Sequence, residues 1–441
     1  MARDPAQRLA ELAIEIPKIL IPAGEIDLTS WAVIACDQFT SQPDYWRRVE
    51  ASVGARPSTL RLFLPEIYLE ESNVEDRLRK IRGSMADYLA RGFLTELPPG
   101  FMLVRRSTPY ASARWGIVAA LDLERYEYRP GSTALVRATE ETIEARIPPR
   151  TRIRDNAPIE LPHIMVLYDD PSSLVLDPLI KDIEGRTPTY DADLMLGSGH
   201  IAGYLLSAPE ELSAIAEAFE HIRETARRSS VASSGDPLLF AVGDGNHALA
   251  AAKTVWERVK ASPGASDAHP ARYALVELVN VHDAGLHFEP IHRVIFRGGR
   301  GFLERLRGGD FELRSATGIK AIETKLDADN AQQLFGAVDE SGAWIVRRKR
   351  EDSTLIAAAI QQLIDRFLAE NPNTSVDYVH GAASACELGR KPGNLALLLP
   401  RIERSTFFPT VDRDGSFPRK TFSMGEAEEK RFYLECRRLF S

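Results

Sequence analysis

A glycine-flanked aspartate is the first feature of this chain whose residue types could do chemistry. It lies in a five-residue turn that follows the apolar run 238–242 and precedes a run of strong helix formers over 248–260. The turn consists of Gly243, Asp244, Gly245, Asn246 and His247. Glycines at such a turn accept positive φ, and the free N–H groups at a helix start favour phosphate or carboxylate. Asp244 could hold a metal ion or act as a base, Asn246 could orient a ligand oxygen, and His247 could exchange a proton near neutral pH. Ordinary helix capping and turn formation remain the alternative role of the same residues.

A second carboxylate, Asp37, follows the apolar run 31–35. Open α/β sheets carry functional groups just beyond the ends of their strands, so Asp37 is the candidate general base. Its alternative role is to cap a turn, which Thr40 and Ser41 favour. The neighbouring Cys36 suggests a nucleophile, although a small buried thiol is the commoner role.

Three histidines, His282, His287 and His292, fall at five-residue intervals. That spacing does not align three ligands on one helix, and a glycine and a proline interrupt any helix there, so no compact zinc motif is present. The strand-like run 273–280 precedes them. The histidine segment therefore leaves the sheet near the edge that carries the glycine turn. We therefore expect His292 and Arg293 to line the same pocket, with a partly buried structural histidine as the alternative.

Two further positions are candidate pocket residues. His200 ends a glycine-flanked turn at 197–199, which suits a second ligand loop or a simple hairpin connection. Arg137 could grip a substrate carboxylate or pair with Glu140 on the surface.

Composition restricts the class of protein. A chain of 441 residues suits two or three domains, and 44% hydrophobic and 27% charged residues are typical of globular proteins. No apolar run approaches the roughly 18 residues that a membrane span needs. A net charge of −8 without a basic block argues against nucleic acid, and three separated cysteines fit a reducing compartment. We predict a cytoplasmic protein with a small-molecule ligand, no nucleic acid and no membrane partner; self-association stays open.

The pattern of elements predicts an α/β protein, with α+β as the alternative, built on a mixed sheet with flanking helices. Helices are expected over 74–89, 209–228 and 248–260. Glycine and charge interrupt the pattern at 298–301, which predicts an α/β core over 14–297 with the ligand-binding loop and a smaller α+β module over 302–441. That module ends in an expected charged helix over 426–439, and it either closes over the site or mediates self-association.

Four segments carry a family resemblance: Lys18–Pro22, Trp31–Gln38, Phe240–His247 and Pro418–Ser423. They resemble domain-of-unknown-function family 1015, a bacterial and archaeal group, and the likeness covers nearly the whole chain. The glycine turn of that family resembles the ligand loop of the ParB/sulfiredoxin superfamily. Relatives in that superfamily include nucleotide-binding partition proteins and free-serine kinases. In those relatives the loop and the following helix grip phosphate. The resemblance thus implies that residues 243–247 face phosphate on a ParB/sulfiredoxin-like core.

One departure from the family's turn concerns charge. The chain has Asn246 where a first histidine often stands, and Ala248 where an arginine often follows the second. Arg293, Arg419 and Lys420 are the candidates to replace the missing guanidinium at phosphate. For the last two, a solvated C-terminal segment is the alternative.

The turn and the resemblance together predict that the chain binds a phosphorylated small molecule or nucleotide and transfers phosphate to a small hydroxyl-bearing metabolite. In this scheme the glycines supply backbone donors, Asp37 is the base, Asp244 positions magnesium or the acceptor, and His247 neutralises developing charge. A non-catalytic ligand sensor is the first rival, favoured by the missing arginine. A metal-dependent hydrolase built on Asp244, His247 and His292 is the second.

Overall fold

The computed structural model describes residues 3–129, 131–230, 235–329, 333–350 and 354–440. They form two compact units. The first contains the described residues up to Leu286, together with Phe408–Ser416 and the described residues from Gly425 onwards. The second contains His287–Phe407 and Phe417–Met424. These bounds differ from the single break expected at 298–301, because two later stretches of chain return to the first unit.

The first unit is built on a mixed sheet. Its strands up to the unit boundary are β1 (Ile14–Glu15), β2 (Leu20–Pro22), β3 (Val33–Ile34), β4 (Leu94–Glu96), β5 (Phe101–Ser107), β6 (Arg114–Asp122), β7 (Tyr126–Glu127), β8 (Val136–Ala138), β9 (Ile159–Glu160), β10 (Met165–Tyr168), β11 (Tyr190–Asp193), β12 (His200–Leu206), β13 (Phe240–Asp244) and β14 (Tyr273–Asn280). The main sheet has the order β11-β12-β5-β6-β14-β10-β13-β8-β7, and β1 pairs with β6. The pairs β10/β14 and β13/β8 are parallel, whereas β10/β13 is antiparallel. The α/β class and the mixed sheet are therefore as predicted.

Helices flank this sheet. They are α1 (Pro5–Ala10), α2 (Leu28–Trp31), α3 (Pro43–Val53), α4 (Val74–Ala90), α5 (Ile147–Arg154), α6 (Leu176–Asp182), α7 (Pro209–Ser229) and α8 (Asn246–Lys260). The three helices expected from the sequence over 74–89, 209–228 and 248–260 correspond to α4, α7 and α8. Helix α7 begins at a proline, and Glu211 accepts a hydrogen bond from the Ala208 N–H (2.9 Å), so its start is fixed locally. Phe219 then packs with Tyr168 and Phe240 in the core.

The second unit has its own sheet and core. Its strands are β15 (Phe288–Phe296), β16 (Phe311–Ser315), β17 (Leu334–Asp339), β18 (Gly342–Arg348), β19 (Ser375–His380), β20 (Leu395–Leu398) and β21 (Phe422–Met424), and its helices are α9 (Gly299–Gly308), α10 (Ile319–Asp327), α11 (Ile356–Glu370) and α12 (Ala382–Gly389). The sheet order is β16-β18-β17-β20-β15-β19, with β21 paired to β15. Helix α13 (Arg404–Asp414) carries the chain from this unit to the first.

The C-terminal segment, residues 425–440, differs most from the prediction. It contains a 3₁₀ turn at Ala427–Glu429 and two short strands, β22 (Phe432–Tyr433) paired with β3 and β23 (Arg437–Arg438) paired with β9. The expected helix over 426–439 was wrong. Residues 429–437 are buried in a row, and their charges pair with residues far away in sequence, so tertiary contacts override the local helix preference.

Candidate functional site

The turn at the start of α8 is a strand-to-helix junction, as predicted. Strand β13 ends at Asp244, and Gly245 takes the left-handed conformation (φ 83°) as the residue that caps α8. Gly243 lies in the strand, beside an irregularity in its pairing with β10. Since Gly245 has no side chain, it occupies the cap position without accepting a hydrogen bond from the first N–H groups of α8. Among the described residues, none accepts a hydrogen bond from the N–H groups of Asn246, His247 or Ala248. These three donors are the ordinary free groups of a helix start.

Asn246 braces the turn from within. Its Oδ1 accepts the Thr139 N–H (3.2 Å), and its Nδ2 donates to the Val242 carbonyl (3.5 Å). The Thr139 hydroxyl donates to the same carbonyl. With 8% of its surface exposed, Asn246 ties the end of β8 to the first turn of α8, which fixes where the backbone donors lie.

His247 is a neutral side chain at physiological pH. Its Nε2 accepts the Ile143 N–H (3.2 Å), so the proton of the neutral ring resides on Nδ1. Burial, and then the nearby charges of Arg150 and Arg146, lower its pKa from 6.5 to about 4. A histidine with this pKa cannot neutralise developing charge at pH 7, which was the role expected from the sequence. It can still donate a hydrogen bond through Nδ1–H.

The lowered pKa predicts how stability depends on pH. Between pH 6.5 and 4 the unfolded chain binds a proton at His247 that the folded protein refuses, so the stabilisation is complete above pH 6.5 and is lost as the pH falls towards 4. Replacing His247 with glutamine is expected to reduce the slope of thermal stability against pH in this window, and His292 accounts for part of the slope that remains. Identical slopes for the variant and the wild type would contradict the shift.

Lys430 supplies the cation that the turn lacks in sequence. Its Nζ lies 3.2 Å from Asp244 Oδ2, and the two side chains are 8% and 23% exposed. Asp244 Oδ1 also accepts the Gly245 N–H (3.2 Å). Sequence reasoning missed this lysine, because it lies in the C-terminal segment, where the charge pattern predicted a solvated helix. No signal in the local sequence singles it out.

A row of residues across three strands explains how Lys430 reaches the turn. Asp244 of β13 lies opposite Met165 of β10, and Met165 lies beside Glu277 of β14. The consecutive residues Lys430 and Arg431 pair with Asp244 and Glu277, the two carboxylates of this row. The C-terminal segment is therefore anchored to β13 through Asp244 and to β14 through Glu277.

Arg431 is the centre of a buried charge cluster. Its guanidinium donates to Glu277, to Glu435 and to the Pro162 carbonyl (2.9 Å), and the three charged side chains are at most 2% exposed. Arg114 adds a second, longer contact to Glu277 (3.4 Å). Burial alone would raise the pKa of Glu277, but Arg114 and Arg431 hold it below its ordinary value. Glu277 therefore stays ionised, and the contacts of the cluster fix the segment that carries Lys430.

Asp37 lies beside a second group of ionisable side chains in the same unit. It follows β3, and its Oδ1 accepts a hydrogen bond from Gln38 (2.9 Å). Glu66 donates its N–H to the Cys36 carbonyl (2.8 Å) and pairs with Arg150 through its side chain. Burial, together with the charge of Asp37, raises the pKa of Glu66 despite Arg150.

Cys36 is not a reactive thiolate in this environment. Burial, and then Asp37, raise the pKa of its thiol above the ordinary value, which fits the buried role over the nucleophilic one. Its N–H donates to the Tyr433 hydroxyl (3.3 Å), and that oxygen lies 2.9 Å from His163 Nδ1.

A cavity of about 120 Å³ opens among these groups. Most of its lining is apolar, and it includes Ala248 and Ala251 on the first turns of α8. Its polar lining comes from Cys36, Glu66, Arg150, Arg154, Glu160, His163 and Tyr433. No sequence pattern groups these residues, since they come from widely separated parts of the chain. Apolar walls with a few polar groups are typical of small-molecule sites.

Two predicted pocket residues have other partners. Arg137 donates to Asp412 (3.0 Å) and to the carbonyls of Ala134 and Asp236, so its charge is matched within the fold. His200 contacts Asp191 and Asp193 at 3.0 and 2.9 Å. Four strands, β5, β6, β14 and β10, lie between its strand and β13, which is about 24 Å at the usual strand spacing. The structure does not bring His200 to the turn.

The remaining candidates belong to the second unit. His292 Nδ1 accepts the Leu399 N–H (3.1 Å), and burial, followed by Arg293 and His380, lowers its pKa to about 4. Arg293, Arg419 and Lys420 lie together there.

Neither a cluster of metal-ligand side chains nor a membrane-spanning helix occurs in the described part of the chain. No group of three or more histidine, cysteine, aspartate or glutamate side chains in it could hold a metal ion. Likewise, none of its helices combines the length and the apolar character needed to cross a bilayer.

The fold and the turn define an α/β protein with a strand–turn–helix junction at residues 240–260. Residues 20–367 match the family described as "Protein of unknown function (DUF1015)", and the chain belongs to that family. No curated protein matches the sequence.

Two solved structures are similar to this chain. A free serine kinase in complex with AMP is 9% identical with a TM-score of 0.39, over 73% of this chain and 92% of that one. A conserved hypothetical protein from Pyrococcus furiosus is 9% identical with a TM-score of 0.35, over 72% and 90% of the two chains. Likenesses at this level do not bear on function.

Proposed function

We propose that the protein binds a phosphorylated small molecule or nucleotide at the 243–247 turn and transfers its phosphoryl group to a small hydroxyl-bearing metabolite. One observation carries the proposal: Lys430 is held 3.2 Å from Asp244, beside a helix start whose first N–H groups have no acceptor among the described residues. Backbone donors at a helix start and an adjacent ammonium group favour a phosphate through the helix dipole and through charge-assisted hydrogen bonds.

The donors divide into backbone and side-chain groups. The N–H groups of Asn246, His247 and Ala248 and the Nδ1–H of His247 are neutral donors, and Lys430 brings the charge. One of the three ammonium hydrogens of Lys430 satisfies Asp244, which leaves two for phosphate oxygens. Lys430 thus takes the part for which the sequence offered Arg293, Arg419 and Lys420 as candidates.

Magnesium fits the carboxylate chemistry of the turn. Mg²⁺ is usually bound through one or two carboxylates together with the phosphates of the ligand, so Asp244 alone suffices on the protein side. When bound, the ion would neutralise the charge of the phosphate. Asp244 and Lys430 would then both lie beside the oxygens of the phosphate group.

Asp37 is the proposed base. Its carboxylate takes the proton from the acceptor hydroxyl, whose oxygen forms the new bond to phosphorus while the bond to the leaving group of the phosphate donor breaks. Asp37 follows Cys36 in the chain, and Cys36 and Glu66 both line the 120 Å³ cavity, which would take the acceptor. The volume suits a molecule of only a few heavy atoms.

A thermal-shift screen tests the proposal. Nucleotides and phosphorylated metabolites, each with and without magnesium, are expected to raise the melting temperature of the full chain. Stabilisation without phosphate turnover in the presence of candidate alcohols would favour the ligand sensor instead. Failure of every phosphate compound to stabilise the protein would overturn the proposal.

A substitution of the base separates binding from transfer. Asp37→Asn is expected to lower the transfer rate by about 10²–10⁴-fold while ligand-induced stabilisation persists, because a positioned base acts only in the reaction. The matched control is Asp87→Asn, an exposed aspartate paired with Arg91 on α4. Equal rates for the Asp37 and Asp87 variants would exclude Asp37 as the base.

A further inference from the structure

Three cationic side chains surround one tyrosine in the second unit. The side-chain charges of Arg293, Arg419 and Lys420 lie 5.1, 5.7 and 4.9 Å from the centre of the Tyr378 ring. Tyr378 and Arg293 are cross-strand neighbours, since β19 is the edge strand next to β15. We call these four residues the Tyr378 cluster.

Arg293 holds the cluster in place from the protein interior. It is fully buried and contacts the Ile291 carbonyl, Gln361 (3.4 Å) and the Arg419 carbonyl (3.4 Å). Through the last contact it holds the backbone from which the exposed side chains of Arg419 and Lys420 extend. Arg293 is therefore a positioning residue for the other two.

The positive charge of Arg419 and Lys420 is not balanced within the described residues. Neither side chain forms an ion pair with a carboxylate there, although both approach the same ring. The aromatic face attracts each cation, but it does not remove the repulsion between them. An anion between the two would remove it.

Two further observations point to a ligand. The Tyr378 hydroxyl is buried and has no hydrogen-bond partner among the described residues, which is unfavourable for a polar group. Lys420 has a left-handed backbone (φ 54°), a conformation that costs a lysine free energy and that collects at ligand-binding positions. A loop that merely linked α13 to β21 would gain by having glycine at this position.

We propose that the Tyr378 cluster is a binding site for the phosphate group of a small molecule, with Arg419 and Lys420 as its charged donors and the Tyr378 hydroxyl as a neutral one. The planar guanidinium of Arg419 matches two phosphate oxygens, and the ammonium of Lys420 adds a third contact. This proposal does not depend on the function of the turn.

Titration with inorganic phosphate at constant ionic strength tests the site. Phosphate binding is measured by calorimetry on the full chain carrying Lys430→Met, so that the turn does not contribute to the measured affinity. The double variant Arg419→Ala/Lys420→Ala in this background is expected to weaken phosphate binding at least about tenfold, because two charge-assisted hydrogen bonds are lost. Tyr378→Phe is expected to weaken it by a smaller factor, roughly two- to tenfold.

A matched control is Arg300→Ala/Lys320→Ala, which removes two exposed cations from α9 and α10 of the same unit and is expected to leave affinity unchanged. If both double variants lose affinity equally, only net charge matters and the proposed site is wrong. Absence of phosphate binding by the parent chain would overturn it too.

The backbone conformation of Lys420 gives a test in which a loss of phosphate affinity cannot result from unfolding. Lys420→Gly is expected to melt no lower than its parent, because glycine adopts positive φ without strain, and yet to lose phosphate affinity. Arg297→Gly is the control, since Arg297 is another exposed basic residue with a left-handed backbone (φ 61°) in this unit. It is expected to keep its affinity. A Lys420→Gly variant that binds phosphate as its parent does would contradict the proposal.

Discussion

Replacing Lys430 with methionine is expected to weaken the binding of phosphate-bearing ligands at the turn by about 10–100-fold. The expected size corresponds to a net loss equal to one hydrogen bond between a charged donor and a charged acceptor, about 1.5–3 kcal/mol. Methionine preserves most of the volume and the apolar stem of lysine, so packing changes little. Affinity is measured by calorimetry at fixed salt, since charge interactions are screened.

The controls separate charge from damage to the fold. Lys181→Met removes an exposed lysine from α6 and should leave affinity unchanged. Lys430→Arg keeps the charge and should retain part of the binding. The pair Lys430→Met/Asp244→Asn removes the carboxylate that the first change leaves unpaired; if this variant regains wild-type affinity, the role of Lys430 is only to balance Asp244.

Replacing Arg431 with methionine is expected to destabilise the first unit by about 3–5 kcal/mol, the usual cost of leaving a buried partner charge uncompensated. Glu277 and Glu435, which Arg431 contacts, are 2% and 0% exposed, so neither carboxylate can recover its hydration. The loss would also free the segment that holds Lys430, so ligand binding should fall together with stability. Chemical denaturation monitored at tryptophan measures the change, because four buried or partly buried tryptophans lie in the first unit.

Arg438 offers the matched control in the same segment. It is 60% exposed and pairs with Glu96 at 3.2 Å, and an exposed pair contributes at most about 1 kcal/mol. Arg438→Met should therefore cost little. A comparable loss for both variants would mean that pairing along the segment, and not the buried cluster, anchors it.

Local patterns sufficed for the turn and its neighbouring elements. The run 238–242 is apolar and short, the glycines mark its end, and α8 follows with strong helix formers, so strand, turn and helix were each encoded by adjacent residues. The same holds for α4 and α7, whose apolar residues recur at helical spacing.

The partners of the turn could not be found in this way. Lys430 is 186 positions after Asp244 in the chain (430 minus 244), and its segment reads as a charged helix because Arg431 and Glu435 stand four residues apart, as in a helical ion pair. In the structure that spacing serves a buried cluster with Glu277. Charges buried by long-range pairing resemble surface charges in sequence, which is why both the segment and its lysine were missed.

The predicted role of His247 changed for a related reason. Its sequence position at a helix start is compatible with a charged or a neutral ring, and only burial and the nearby Arg150 and Arg146 decide between them. Desolvation depends on tertiary packing, so the protonation state of a candidate residue cannot be derived from its neighbours in sequence.

A crystal structure of the wild-type chain with ADP and magnesium tests the central proposal most directly. We predict a phosphate group within hydrogen-bond distance of Lys430 Nζ and of the backbone N–H groups at the start of α8. A nucleotide whose phosphates lie elsewhere, with the Lys430–Asp244 pair intact and the helix start unbound, would contradict it.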